Sequence, residues 1–148
     1  MMITNNHAIA YRNVASKLYQ FYPEDLQEAL ADFAVILTEN GYTPGDKIFY
    51  AFLNEPQAEL VTAEIFMNIE ETECLIPDED VRFNSYFLVD GMLMSRITGQ
   101  FNEQSQVRYW ELFGYMKKKN KRQVSPVFVE FKTTRSQKTY VEMSVAVK

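Results

Sequence analysis

The chain has 148 residues, of which 47% are apolar and 24% charged, with a net charge of −5. This is enough apolar content for one folded core and too much for a disordered chain, while the negative balance argues against nucleic acid as a partner. A lone cysteine, Cys74, excludes an intrachain disulfide; with no apolar run near the roughly 18 residues of a membrane span and no signal core in MMITNNHAIAYR, a cytoplasmic protein without membrane association is expected.

In chain order, HAIAYRNVASKLYQF is apolar and aromatic without a helical stripe and reads as a strand. YPEDLQEALADFAVILTENGY reads as a helix of about five turns. Leu26, Leu30, Phe33 and Leu37 form its stripe, Pro23 and two acids open it, and Asn40-Gly41 ends it. KIFYAFLN and LVTAEIFMNI come next as strands joined by a hairpin loop at NEPQAE. After the acidic stretch EETECLIPDEDVR the order recurs. SYFLVDGMLMSRITGQF is extended, and NEQSQVRYWELFGYMKKKN is helical with Val107, Trp110, Phe113 and Met116 as its apolar positions. PVFVEFKTT and KTYVEMSVAVK form a closing hairpin. The basic run KKKNKR, Lys117–Arg122, suits the negative end of that second helix.

The halves also match residue by residue. Ser16-Lys17-Leu18 aligns with Ser95-Arg96-Ile97, Ile48-Phe49-Tyr50-Ala51-Phe52 with Val127-Phe128-Val129-Glu130-Phe131, and Ala63-Glu64-Ile65 with Val141-Glu142-Met143, at spacings of 78–79 residues. The expectation is a single domain, 1–148, built by internal duplication of a β-α-β-β unit over about 7–69 and 83–147, with a linker at 70–82. The fold class is α+β: a mostly antiparallel sheet with two helices on one face and a cleft at the pseudo-twofold junction.

Strand side chains alternate between faces. Val61, Ala63, Ile65, Met67 and Ile69 share one face, as do Val141, Met143, Val145 and Val147, and these aliphatic faces suit the underside of a helix. The opposite face carries Glu64, Phe66, Tyr140 and Glu142, with Tyr50 and Phe52 expected beside them. Carboxylates set among aromatic rings suit a flat or cationic ligand, although one face of an antiparallel sheet also carries polar residues simply because it meets water.

The architecture resembles the GyrI-like (gyrase-inhibitor-like) superfamily, which includes effector-binding domains of multidrug-responsive activators. The resemblance rests on Asp90-Gly91-Met92-Leu93-Met94, on Thr98-Gly99-Gln100-Phe101 before the second helix, on Trp110-Glu111-Leu112-Phe113 in that helix, and on Pro126 followed by Glu130-Phe131. It implies a small-molecule cleft, adds Glu130 and Trp110 to the ligand residues, and makes the chain similar to stand-alone bacterial members. Two departures stand out: the aromatic after Glu130 comes one position early, and the chain has no room for a helix-turn-helix. By alternation Glu130 shares a face with Phe128 and Lys132.

Catalysis finds little support. Cys74 sits among carboxylates that raise a thiol pKa, and His7, the one histidine, lies near an N-terminus expected to be mobile. No clustered metal ligands and no glycine-rich phosphate loop are present. The expectation is therefore a binding module for an amphipathic or cationic small molecule, with no catalytic residues, no cofactor and no metal. A protein-interaction role, or hydrolysis of an electrophilic small molecule through Glu64, Glu130 or Glu142 beside Tyr50 or Tyr140, are the alternatives.

Overall fold

A computed structural model describes residues 3–55 and 58–148. Pro56 and Gln57, the middle of the expected hairpin loop, lie outside the described residues. The fold is α+β, with antiparallel strands and two helices, as the pattern predicted. In chain order the elements are β1 (Ile3–Phe21), a 3₁₀ turn (Pro23–Asp25), α1 (Leu26–Glu39), β2 (Pro44–Phe52), β3 (Val61–Ile69), β4 (Arg82–Ile97), α2 (Phe101–Lys118), β5 (Gln123–Thr133) and β6 (Thr139–Val147). They form two compact units. One comprises Ala10–Phe87; the other comprises Leu88–Lys148 with the residues up to Ile9.

In the Ala10–Phe87 unit, β3 pairs antiparallel with β1 on one side and β2 on the other. The pairs Tyr19↔Ala63 and Tyr50↔Ile65 put those residues on the aliphatic face. That face meets α1, where the ring of Phe33 lies 6.3 Å from that of Tyr19. Ala29, Leu30, Phe33 and Leu37 are buried, which is the stripe that the spacing predicted. The helix stops where Gly41 takes φ +85°, letting the Tyr42 N–H donate to the Leu37 carbonyl at 2.9 Å. The acidic connection is pinned rather than merely solvated. Ile76 is buried, Tyr42 exchanges hydrogen bonds with the Leu75 backbone, and the Lys17 ammonium donates to the Glu79 carbonyl at 2.6 Å.

In the other unit, β6 pairs antiparallel with β4 and β5, and α2 lies against β6. The buried seam of α2 is Leu112 and Met116, one turn apart. Val107 and Trp110, expected in the stripe, are exposed; Trp110 keeps 56% of its surface. The helix carries apolar residues on most sides, so spacing alone could not choose the seam.

Burial along the long strands does not alternate cleanly. Asn13 in β1 and Gly91 in β4 take φ of 55° and 62°, and after each the chain buries consecutive residues, Val14–Ser16 and Met92–Ser95. Neighbouring strand residues point to opposite faces, so burial of consecutive residues means that both faces of the strand are covered there. The seam of α2 is tested by truncation: Leu112→Ala should lower stability by about 2–5 kcal/mol in urea denaturation, and Trp110→Ala by less than about 0.5 kcal/mol.

Candidate functional site

The ladder β5–β6 sets Glu130 directly opposite Glu142, and β4–β6 sets Arg96 opposite the same Glu142. With Phe128↔Ser144 and Lys132↔Tyr140, these residues share the face opposite Val129, Val141 and Met143. Glu130 is 2% exposed and Glu142 5%. Two like charges in direct cross-strand contact destabilise a sheet, and buried carboxylates demand compensation.

The compensation is complete, oxygen by oxygen. Glu130 Oε1 lies 3.2 Å from His7 Nε2 on β1. Glu130 Oε2 and Glu142 Oε1 lie 3.5 and 3.6 Å from the Lys132 ammonium, which bridges them. Glu142 Oε2 accepts a 2.8 Å hydrogen bond from Arg96, which raises the Arg96 pKa further above its usual value. The Arg96 guanidinium also lies 4.9 Å from the centre of the Tyr140 ring, a cation–π contact. The Ser144 hydroxyl is buried and has no hydrogen-bond partner among the described residues.

By type, His7, Glu130 and Glu142 are a metal-ligating set, with donor atoms within 4.8 Å of one another. Arg96 and Lys132 already supply two positive charges to two carboxylates, so a divalent ion would leave excess positive charge in a buried place.

Glu64, at the corresponding place in the other unit, has different company. Its cross-strand partners are Leu18 and Ala51, so no second carboxylate faces it. Ser16 donates to it at 2.6 Å, and the exposed Arg82 lies at 4.0 Å. Beside it the rings of Phe49 and Phe66 stack at 4.6 Å with 5° between planes, and Phe87 tilts against both. These registers also adjust the sequence match: Leu18, not Lys17, stands where Arg96 stands.

Of the expected ligand residues, Glu130, Glu142 and Tyr140 come together in one unit, and Glu64 and Phe66 in the other. Tyr50 and Phe52 do not join Glu64. They pair with Ile65 and Ala63 and so lie on the helix-covered face, one strand position out of phase with Phe49 and Ala51. Burial pushes the Tyr50 hydroxyl pKa up, which keeps it neutral. Trp110 is an exposed helix residue against the edge of the Tyr109 ring. His7, Lys132, Arg96 and Ser144 are additions. Lys132 was legible by alternation from Glu130, whereas His7 and Arg96 reach the pair only through strand pairing and tertiary placement. Two cavities in the Ala10–Phe87 unit, of about 610 and 390 Å³, involve none of the eight; the larger is lined by Arg12, Asn13, Thr72, Ser85 and Tyr86.

The fold is GyrI-like. Similar solved structures are the crystal structure of the EcmrR C-terminal domain (TM-score 0.69, 9% identity, 97% of this chain and 98% of that one) and SAV2435 bound to tetraphenylphosphonium (TM-score 0.54, 14% identity, 99% and 93%). The EcmrR–DNA complex also matches, at TM-score 0.70 and 9% identity over 97% of this chain, which spans 57% of that one. The family model "Domain of unknown function (DUF5085)" matches residues 10–148, and the chain belongs to that family. His7 precedes the matched range. No curated protein sequence matches the chain, and no described helix is long and apolar enough to cross a membrane.

Coupling in the charge network is measurable. In a double-mutant cycle by urea denaturation, Arg96→Met and Glu142→Gln should couple by about 1 kcal/mol, a value held down by the half-exposed arginine. Cys74 offers a second check. Burial, and then the nearby Glu71, push its thiol pKa up. Its reaction with Ellman's reagent should therefore be slower than glutathione's at pH 8, with a midpoint above that of an ordinary thiol.

Proposed function

We propose that the chain is a small-molecule binding module that takes an amphipathic organic cation at the face carrying Glu130, Glu142 and Tyr140. The observation that carries this reading is the pair of buried carboxylates set opposite each other. A sheet that needed only stability would be better served by apolar residues in both places, because a buried ion pair is often no better than a hydrophobic replacement. The Tyr140 ring beside the pair already carries the Arg96 guanidinium at 4.9 Å and is thus an electron-rich surface that accepts cations, and the unpartnered Ser144 hydroxyl offers a polar contact on the same face. SAV2435, of similar fold, is bound to tetraphenylphosphonium, an aromatic cation.

A protein-binding role is the second reading, favoured by Trp110 and Val107, both exposed on α2. Thermal unfolding with tetraphenylphosphonium separates the two. The ligand reading expects a rise of about 5–10 °C at a probe concentration roughly 100 times Kd. The rise should largely disappear in Glu130→Gln/Glu142→Gln. An equal rise in that variant would count against the reading, as would no rise in the wild type.

A further inference from the structure

Each of the four oxygens of Glu130 and Glu142 already has a partner, and those partners are unequal. Arg96 is held by a 2.8 Å hydrogen bond. Lys132 stands 3.5 and 3.6 Å from its two oxygens, at the limit of a hydrogen bond, and its ammonium bridges both carboxylates. Its side chain is 31% exposed, so the ammonium has a path to water along its flexible stem. Across the ladder it faces Tyr140. A ligand's cation drawn to both carboxylates would need the volume that the Lys132 ammonium fills between them.

We propose that Lys132 is a resident, displaceable counter-ion, so that ligand binding at this site is an exchange of one cation for another and Lys132 sets the charge that the ligand must carry. This inference rests on the cation-binding reading above. With Lys132 in place the two carboxylates are neutralised by two cations. With Lys132 turned out, and Arg96 retained, one negative charge remains. The matching ligand is a singly charged organic cation; a neutral molecule cannot displace the ammonium, and a divalent metal overshoots the charge. The protein with Lys132 seated is binding-incompetent, so the apparent affinity of the wild type is reduced by the fraction of time the ammonium is out.

The test is calorimetric titration of the full chain with tetraphenylphosphonium at fixed pH and salt, for the wild type, Lys132→Met, Lys132→Arg and Glu142→Gln. Lys132→Met keeps most of the apolar stem without the charge and should bind about tenfold more tightly or better, as removing an occupant that fills the site about nine-tenths of the time requires. Lys132→Arg should bind no better than the wild type, because its planar fork holds carboxylates more firmly. Glu142→Gln should bind more weakly. If the wild type binds in a Glu142-dependent manner but Lys132→Met binds no better, the exchange is wrong and the cation-binding reading stands. If neither the wild type nor Lys132→Met binds, both are wrong. If Lys132→Met fails to fold, tighter binding by Lys132→Arg than by the wild type would overturn the exchange, and weaker binding would support it. A parallel titration with Zn²⁺ alone decides the metal alternative. One-to-one Zn²⁺ binding abolished by His7→Ala, with no tetraphenylphosphonium binding, would make the pair a metal centre and overturn the proposal.

Discussion

Glu130 and Glu142 face each other across β5 and β6, buried almost completely, and the unit around them is arranged to make that arrangement tolerable. The counter-charges arrive from three strands: His7 from β1, Arg96 from β4 and Lys132 from β5. Those of Arg96 and Lys132 depend on register. A slip of one residue in β4–β6 would carry Arg96 to the aliphatic face, and a slip in β5–β6 would separate the carboxylates and set each against an apolar residue, Glu142 opposite Val129 or Phe131 and Glu130 opposite Val141 or Met143. The electrostatic requirement and the hydrophobic requirement therefore select the same pairing. That agreement is what a well-specified sheet needs.

The comparison of Glu142 with Glu64 shows how little a strand motif says about a charge's surroundings. Both sit in a run of alternating aliphatic residues. Across the neighbouring strand one meets Glu130 and the other meets Ala51. The first becomes half of a bridged, charge-balanced pair. The second is a single carboxylate held by a serine beside stacked phenylalanines. The Ala10–Phe87 unit thus has the more aromatic face and the other unit the more ionic one.

Several features are legible in the sequence because they rest on short-range physics. The α1 stripe of Leu30, Phe33 and Leu37, its glycine stop, the aliphatic face of β6 and the position of Lys132 beside Glu130 all derive from periods of 3.6 and 2. Others are not. Tyr50 and Phe52 lie on the face away from Glu64 because their phase relative to it is set by the β2–β3 register, which shifts irregularly between Pro44 and Ile48. The α2 seam is hidden because Val107, Trp110 and Phe113 compete with Leu112 and Met116 on a helix that carries apolar residues on most sides. His7 reads as part of a loose terminus, yet β1 begins at Ile3 and delivers the imidazole to Glu130.

The sequence by itself determined the α+β class, the order of elements and which residues of β3 and β6 share a face, since these depend only on neighbours a few positions away. Which faces meet, and which charge answers which, was decided by tertiary structure. Cross-strand register joins residues 46 apart in Arg96 and Glu142, and tertiary placement joins residues 123 apart in His7 and Glu130. Glu130 and Glu142 become a compensated pair only when the fold supplies a cation to each oxygen that Glu130's histidine does not reach.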